Sequence, residues 1–284
     1  MKTTASRPVE AWAKRNFVRM KISIVGCGNM GTAYARSFRK YGLVKPDDLL
    51  LVLRSEGRRA QLEALGRVTF TIDPAIGSSD LVIIGVKPQD FAAIAPALAA
   101  VLRPEQVVLS IMAGITIDRL QTSLAHRTVV RAMPNSPAQI GLGITAYATG
   151  TELNMRQTLM VEQLLNSTGR AVHLEHEAHL DPVTALSGSG PAYFFHIVRT
   201  MIDAGRALGL EPHVASALVK QTMLGSYHLM EHADRTPDEL IKAVMSKGGT
   251  TEAAFKVFEA QGLGTILDKG IAAASQRATE LSGS

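Results

Sequence analysis

A glycine motif near the start of the chain constrains the fold more than any other feature. Residues 26–31 read Gly-Cys-Gly-Asn-Met-Gly, between a short apolar run at 21–25 and a helical pattern at 32–41. In that context the first glycine permits a tight turn, Gly28 lets a pyrophosphate approach the backbone, and Gly31 lets the helix pack closely on the strand. The helix N-terminus then offers free N–H groups to phosphates. The motif predicts dinucleotide binding, with a ligand-free glycine turn as the alternative.

The pattern that follows predicts an α/β fold. Between residues 21 and 172, apolar strand-sized runs alternate with helical segments, which is typical of βαβ units in a parallel sheet. The runs are nearly continuous in apolar residues, as expected when helices cover both faces of a sheet. We therefore expect a Rossmann-type, doubly wound parallel sheet in this part of the chain.

The remainder of the chain predicts a second, all-α domain. From Asp181 onward no strand pattern is present, and Asp181 followed by Pro182 predicts a helix N-terminus. The apolar stripes of these helices indicate a dimerisation surface, because little sheet remains for them to cover. The predicted domains are a flexible extension at 1–20, a nucleotide-binding domain at 21–172 and a helical domain at 173–284.

Composition excludes several classes of protein. The 284 residues are 46% hydrophobic and 19% charged, which fits a folded globular chain. No apolar run reaches the roughly 18 residues of a membrane helix. The net charge of +5 comes without a basic block interleaved with aromatics, so no nucleic-acid partner is expected. The single cysteine, Cys27, excludes a disulfide framework and favours a reducing, cytoplasmic setting.

Histidines at 173, 176 and 179 are the only pattern that suggests a metal site. No second cluster completes the ligand set, so we interpret them as surface histidines and expect no metal.

The residues after the second apolar run indicate the cofactor. An NAD-binding chain usually places Asp or Glu there, whereas this chain has Arg54 and Ser55 after residues 49–53. An arginine matches the 2′-phosphate of NADP, which a carboxylate would repel. We therefore predict NADPH as the cofactor, and Glu56 leaves NADH open as a less favoured one. Arg58 and Arg59 either add to this site or belong to a charged helix start.

Several further motifs resemble one family. With the glycine motif they form a series, in register from about residue 21 to 281, that resembles pyrroline-5-carboxylate reductases. The motifs are Val-Lys-Pro-Gln at 86–89, Met-Ala-Gly at 112–114, Arg-Ala-Met-Pro-Asn-Ser-Pro at 131–137, Leu-Ser-Gly-Ser-Gly-Pro-Ala-Tyr at 186–193 and Ser-Lys-Gly-Gly-Thr-Thr at 246–251.

The resemblance implies an activity and a cofactor site. It implies NADPH-dependent reduction of 1-pyrroline-5-carboxylate to L-proline by hydride transfer to a cyclic imine, in homo-oligomers built from dimers. Together with the residues discussed above, it gives a set of expected cofactor contacts. They are Gly26, Gly28, Asn29, Met30, Gly31, Arg54, Ser55, Lys87, Pro88, Ala113, Gly114 and Asn135.

The segment 246–251 is the expected substrate site. Two glycines and two threonines before a helix expose N–H and hydroxyl groups to an anion, here the substrate carboxylate. An ordinary capped helix start is the alternative. The resemblance implies that Thr251 is catalytic and holds the ring nitrogen, and that Glu177 lies near the substrate. The expected substrate contacts are Glu177, Ser246, Gly248, Gly249, Thr250 and Thr251.

Other functions stay open at this point. A reductase of a related cyclic imine is one, because the family usually has proline where this chain has Lys247. A 3-hydroxyacid dehydrogenase of the related superfamily is disfavoured, because residues 190–208 contain no lysine. A non-catalytic NADP-binding paralogue with a regulatory role is the third, although both ligand loops are intact apart from Lys247.

Overall fold

The computed structural model describes residues 20–282. These residues divide into two compact units, one formed by 20–188 with 275–282 and the other by 189–274. The predicted extension at 1–20 lies outside the described residues except for Met20. Met20 is buried in the hydrophobic core of the first unit.

The first unit is built around one eight-stranded sheet. Its strands, in chain order, are β1 (Ile22–Val25), β2 (Leu49–Val52), β3 (Arg67–Thr69), β4 (Leu81–Ile84), β5 (Val107–Ser110), β6 (Val129–Met133), β7 (Gly143–Thr149) and β8 (Gly169–His173). Their order across the sheet is 3-2-1-4-5-6-7-8, and β1 to β6 run parallel. The order reverses between β1 and β4, which is where a doubly wound sheet opens a crevice for a ligand.

Helices cover both faces of this sheet. They are α1 (Asn29–Lys40), α2 (Arg59–Glu63), α3 (Pro88–Val101), α4 (Ile117–Leu124), α5 (Met155–Asn166) and α6 (Leu180–Val183). One core layer contains Phe38 of α1 and Leu164 of α5, and the other contains Phe91 of α3 and Leu120 of α4. All four side chains are essentially inaccessible to solvent. The doubly wound architecture expected from the sequence is confirmed.

The far edge of the sheet differs from the expected all-parallel arrangement. β7 runs antiparallel to β6, and β8 then runs parallel to β7. The segment 134–142 between β6 and β7 is shorter than the dozen or more residues that a parallel crossover needs. The sequence analysis did not predict β8. This edge strand has no fully buried residue and contains a glycine, an arginine and a histidine.

The second unit is helical, as predicted. It contains α7 (Gly190–Ala207), α8 (Pro212–His232), α9 (Pro237–Val244), α10 (Thr250–Ala260) and the part of α11 (Leu263–Ser282) up to residue 274. Among its exposed side chains are many large apolar ones, including Phe194, Phe195, Met201, Leu224, Tyr227 and Met230. A surface with so many exposed apolar groups indicates a protein interaction site.

The division between the units lies after Gly188, whereas the sequence pattern indicated a boundary after residue 172. Leu180 explains the shift, because it is completely buried in the core of the first unit and ties 173–188 to the sheet. The last two turns of α11, from residue 275, also belong to the first unit.

The burial of α5 gives a test of this fold. Leu164→Ala is expected to lower the free energy of unfolding by about 2–5 kcal/mol, since it removes a fully buried side chain from the core. Leu159→Ala, on the same helix but 57% exposed, is expected to change it by less than about 0.5 kcal/mol. Urea unfolding followed by circular dichroism measures both, and equal losses would contradict the packing described here.

Candidate active site

The glycine motif forms a tight backbone crossing at the switch point of the sheet. Gly26 has a φ of +98°, a conformation that residues with a β-carbon rarely adopt. A β-carbon at this position would lie 2.5 Å from the backbone nitrogen of Val86, just beyond β4. Only glycine therefore fits where β1 ends beside the loop that follows β4.

The rest of the motif forms the first turn of α1. The helix begins at Asn29 with Gly28 as its N-cap, three residues earlier than the sequence pattern predicted. The first-turn N–H groups therefore belong to Asn29, Met30 and Gly31, which are residues of the motif itself. A β-carbon on Gly28 would meet no atom within 4 Å, whereas one on Gly31 would overlap the carbonyl oxygen of Gly26. An open glycine face beside a helix N-terminus fits a pyrophosphate.

A cleft of about 260 Å³ extends from this loop across the carboxyl ends of β1, β2 and β4. It brings together five residues of the expected cofactor set, and Arg58 lines it as well. The five are Gly26, Gly28, Arg54, Ser55 and Lys87.

Two arginines at the mouth of the cleft are held by side chains from neighbouring elements. Nη1 of Arg54 lies 2.9 Å from Oδ2 of Asp90 in the first turn of α3, and the Arg54 side chain is 82% exposed. Nη2 of Arg58 donates to Oδ1 of Asn29 at 2.8 Å. Asp90 was not anticipated from the sequence. The available signal was its position in the first turn of the helix after Lys87, because the positive end of the helix dipole stabilises an acidic side chain there.

Cys27 lies inside the cleft wall and is not a nucleophile. Burial raises the pKa of its thiol to about 12, against the lowering effect of the nearby Arg58 charge. Its Sγ faces the carbonyl oxygen of Ile24. The thiol is therefore neutral at physiological pH, and we interpret Cys27 as a small structural residue.

The other expected cofactor residues lie elsewhere in the first unit. Pro88 is the first residue of α3, and Ala113 and Gly114 lie in the loop that joins β5 to α4. Asn135 follows β6, where Oδ1 accepts from the Ile144 N–H at 3.0 Å and Nδ2 donates to Oγ of Ser187 at 3.3 Å. Each of these positions follows the carboxyl end of a parallel strand, the edge at which open α/β sheets bind ligands.

A buried ion-pair cluster, which the sequence analysis did not anticipate, surrounds Arg131 of β6. Nη1 of Arg131 lies 2.8 Å from Oε1 of Glu177, and Nη2 lies 3.0 Å from Oδ1 of Asp181. The Arg131 side chain is only 5% exposed. The prediction of Asp181 as a helix N-cap is wrong, because it lies inside α6 and its carboxylate binds Arg131. Glu177, the expected substrate contact, also binds the backbone N–H of Ile117 through Oε1.

The expected substrate loop lies in the second unit and begins with a tight turn. Gly249 N–H donates to the carbonyl oxygen of Ser246 at 2.9 Å, and Gly248 has a φ of +75°. Among the non-glycine residues that the structure describes, only Ala125 has a positive φ. Lys247 therefore has a negative φ, and the four residues 246–249 form a type II turn.

This turn leads directly into α10. The helix begins at Thr250 with Gly249 as its N-cap, so the N–H groups of Thr250 and Thr251 lie in its first turn. The carboxylate of Glu252 accepts a hydrogen bond from the Gly248 N–H and lies 3.3 Å from Nζ of Lys256. The loop thus already binds a carboxylate through a backbone amide. Glu252 was missed in the sequence analysis, although an acidic residue at the third helical position commonly reaches back to a backbone N–H at the helix start, here that of Gly248.

Comparison with known proteins agrees with this two-part arrangement. Residues 21–114 match a family described as NADP oxidoreductase, coenzyme F420-dependent, and residues 177–281 match the pyrroline-5-carboxylate reductase dimerisation family. The chain is 38% identical over 268 residues to a pyrroline-5-carboxylate reductase of Pseudomonas aeruginosa, covering 92% of this chain and 96% of that protein. The chain belongs to the pyrroline-5-carboxylate reductase family.

Other members of the family lead to the same assignment. Pyrroline-5-carboxylate reductase 2 of Bacillus subtilis is 32% identical over 246 residues, covering 84% of this chain and 87% of that protein. The structure of a pyrroline-5-carboxylate reductase from Coxiella burnetii superposes with a TM-score of 0.85 at 29% identity, covering 93% and 99% of the two chains. The resemblance stated from the motifs is confirmed.

Family membership gives the exposed apolar side chains of the second unit a role. Most of the matched dimerisation region lies in this helical unit, so the chain self-associates. Within residues 20–282, no helix is long and apolar enough to cross a membrane. The same residues contain no cluster of three or more His, Cys, Asp or Glu side chains arranged for a metal ion.

The type II turn makes a prediction for the position where the family usually has proline. Lys247→Pro is expected to raise the free energy of unfolding by about 0.4–1 kcal/mol, because the turn already sets the φ that proline requires. Lys247→Ala removes the charge without fixing φ and serves as the control. Denaturant unfolding measures both, and a Lys247→Pro protein less stable than Lys247→Ala would contradict the assigned turn.

Proposed function

We propose that this chain reduces 1-pyrroline-5-carboxylate to L-proline with NADPH, the last step of proline biosynthesis. The observation that carries the proposal is the dinucleotide cleft at the β1–β4 switch point, intact in a chain 38% identical to a named pyrroline-5-carboxylate reductase. The first N–H groups of α10, directly after the turn at 246–249, support an anionic substrate.

The chain's own residues bind and orient the reactants. Bound NADPH would supply a hydride to the imine carbon, while the protonated imine nitrogen becomes the ring amine of proline. The N–H groups at the start of α1 bind the pyrophosphate, and Arg54 with Arg58 binds the 2′-phosphate. In the second unit, Ser246, Thr250 and the first N–H groups of α10 hold the substrate carboxylate, and Gly248 and Gly249 form the turn that leads into the helix.

Thr251 is the proposed catalytic residue. Its hydroxyl holds the ring nitrogen and so orients the imine for hydride transfer. A protonated cyclic imine is already a good hydride acceptor, and the protein needs mainly to orient the two reactants. This explains how the reaction proceeds without a nucleophile in the site.

An absorbance assay at the nicotinamide band tests the activity. Purified protein, pyrroline-5-carboxylate and NADPH are mixed, with NADH in a parallel reaction. We expect rapid oxidation of the cofactor, faster with NADPH. Larger or substituted cyclic imines are included in the same assay, because Lys247 stands in the substrate loop where the family usually has the more rigid proline. Preference for another imine would change the substrate, and NADPH binding without turnover would indicate a non-catalytic role.

Arg54 gives a test of the cofactor preference. Arg54→Ala is expected to raise the KM for NADPH about tenfold or more while changing the KM for NADH little, because only NADPH carries the 2′-phosphate. Asp90→Asn is the matched variant, since it leaves Arg54 in place and removes the carboxylate that binds it. It is expected to lower the KM for NADPH by up to about fivefold. Equal effects of Arg54→Ala on both cofactors would refute the 2′-phosphate role.

Thr251 gives a test of the chemistry. Thr251→Ala is expected to lower kcat by roughly 100-fold and to leave NADPH affinity unchanged, because it removes a hydroxyl that acts only on the substrate. Thr251→Ser retains the hydroxyl and is expected to recover most of the activity. Steady-state kinetics and a cofactor titration measure both quantities. Full activity in Thr251→Ala would remove this residue from the mechanism.

The proposal extends to the oligomeric state and the cellular compartment of the protein. Homodimers formed through the helical unit, with dimers assembling further, are the proposed oligomers. A cytoplasmic setting is proposed because the only cysteine is a buried free thiol.

A further inference from the structure

We propose that Arg131 is a positioning residue for hydride transfer. It secures the loop between β5 and α4 through two contacts, one made by Glu177 and the other by the last turn of α11. We call the first the Glu177 clamp and the second the Ser282 clamp. The catalytic part of this inference rests on the proposed function, whereas the two clamps are features of the structure.

The loop at 111–116 is placed to face the reactive end of a dinucleotide. It leaves the carboxyl end of β5, which pairs with β4, whose own following loop lines the cofactor cleft. Ligands of doubly wound sheets bind along this edge. Met112 and Ile115 anchor the loop in the core, and Ala113 between them is partly exposed. The position of the Ala113–Gly114 backbone therefore depends on what holds the loop.

The Glu177 clamp fixes the end of the loop where α4 begins. Oε1 of Glu177 accepts from the backbone N–H of Ile117 at 2.8 Å, and the same oxygen accepts from Nη1 of Arg131 at 2.8 Å. A carboxylate at a helix N-terminus is favoured by the helix dipole. Arg131 is almost completely buried, so it holds this carboxylate with little competition from water.

The Ser282 clamp covers one face of the loop. A β-carbon on Gly114 would lie 2.9 Å from the carbonyl oxygen of Leu281, so the end of α11 lies directly against this glycine. The next residue, Ser282, donates from Oγ to Oδ1 of Asp181 at 2.9 Å. Nη2 of Arg131 donates to Oγ of Ser282 at 3.3 Å and to Oδ1 of Asp181 at 3.0 Å.

Both clamps therefore depend on one guanidinium group. Loosening either one shifts the loop at 111–116 and leaves the pyrophosphate loop and Arg54 untouched. A displacement of the reacting groups by an ångström can cost a hundredfold in rate. We thus expect changes at the clamps to affect kcat and to spare cofactor affinity.

Three substitutions test the clamps without removing the buried arginine, whose loss would leave Glu177 and Asp181 without their cation. Ser282→Ala deletes the hydroxyl of the second clamp. Glu177→Ala opens the first clamp, and Glu177→Gln keeps an acceptor oxygen there. Arg277→Ala is the control, because it removes an exposed ion pair with Glu280 on the same helix.

Hydrogen exchange measured by mass spectrometry tests the structural claim independently of any activity. Amides at 112–117 are expected to exchange several-fold faster in Ser282→Ala and Glu177→Ala than in the unmodified protein. Glu177→Gln should show a smaller increase, and Arg277→Ala none. Amides at 26–31 should be unchanged in all four variants. Unchanged exchange at 112–117 in Ser282→Ala and Glu177→Ala would overturn the proposal.

Kinetics test the catalytic claim. In Ser282→Ala and Glu177→Ala, kcat is expected to fall by roughly 10- to 100-fold while the KM for NADPH stays within about twofold. The isotope effect with NADPH deuterated at the transferred hydrogen should rise, and Glu177→Gln should restore part of the rate. An unchanged kcat, or an equal loss in Arg277→Ala, would refute the positioning role. If the unmodified protein reduces no cyclic imine, the proposed function fails, and the exchange result alone decides whether the clamps exist.

Discussion

The close contact between the end of β1 and the loop after β4 is the constraint on which the nucleotide-binding unit depends. Gly26 lies so near Val86 that no side chain fits, and Gly31 lies equally near the carbonyl of Gly26. These contacts let β1, β4 and α1 meet at one point. The strand order reverses there, so the crevice between the diverging loops opens beside the first N–H groups of α1. The cleft results directly from this backbone packing.

Features governed by local chemistry could be read from the sequence. The sequence predicts helices over 117–124, 155–166 and 212–232, and α4, α5 and α8 have these bounds, because each begins after a capping residue or at a proline. Thr116 accepts from the Arg119 N–H, Asn154 forms a capping box with Gln157, and Pro212 occupies the first position of α8. The glycine motif predicted the dinucleotide-binding loop for the same reason, because the shape of that loop depends on the backbone conformation of the motif itself.

Features that depend on distant partners could not be read in this way. Arg131 binds residues 46, 50 and 151 positions away, and nothing near it in the sequence indicates that its charge is buried. Asp181 had the local pattern of a helix cap, yet pairing with a buried guanidinium outweighed that preference. The edge strand β8 was missed because its pairing with β7 depends on tertiary contacts. Asp90 was missed because its partner, Arg54, lies 36 positions earlier.

The burial of Cys27 has a practical consequence. Its thiol is neutral and enclosed by the β1–α1 crossing, so a thiol reagent reaches the reactive thiolate only when that crossing opens. Because the chain contains no other cysteine, every labelling event reports on this one place. The rate of modification thus measures how often the phosphate-binding loop separates from the sheet. Cys27 is therefore a built-in probe for the local stability of the contact between the end of β1 and the loop after β4.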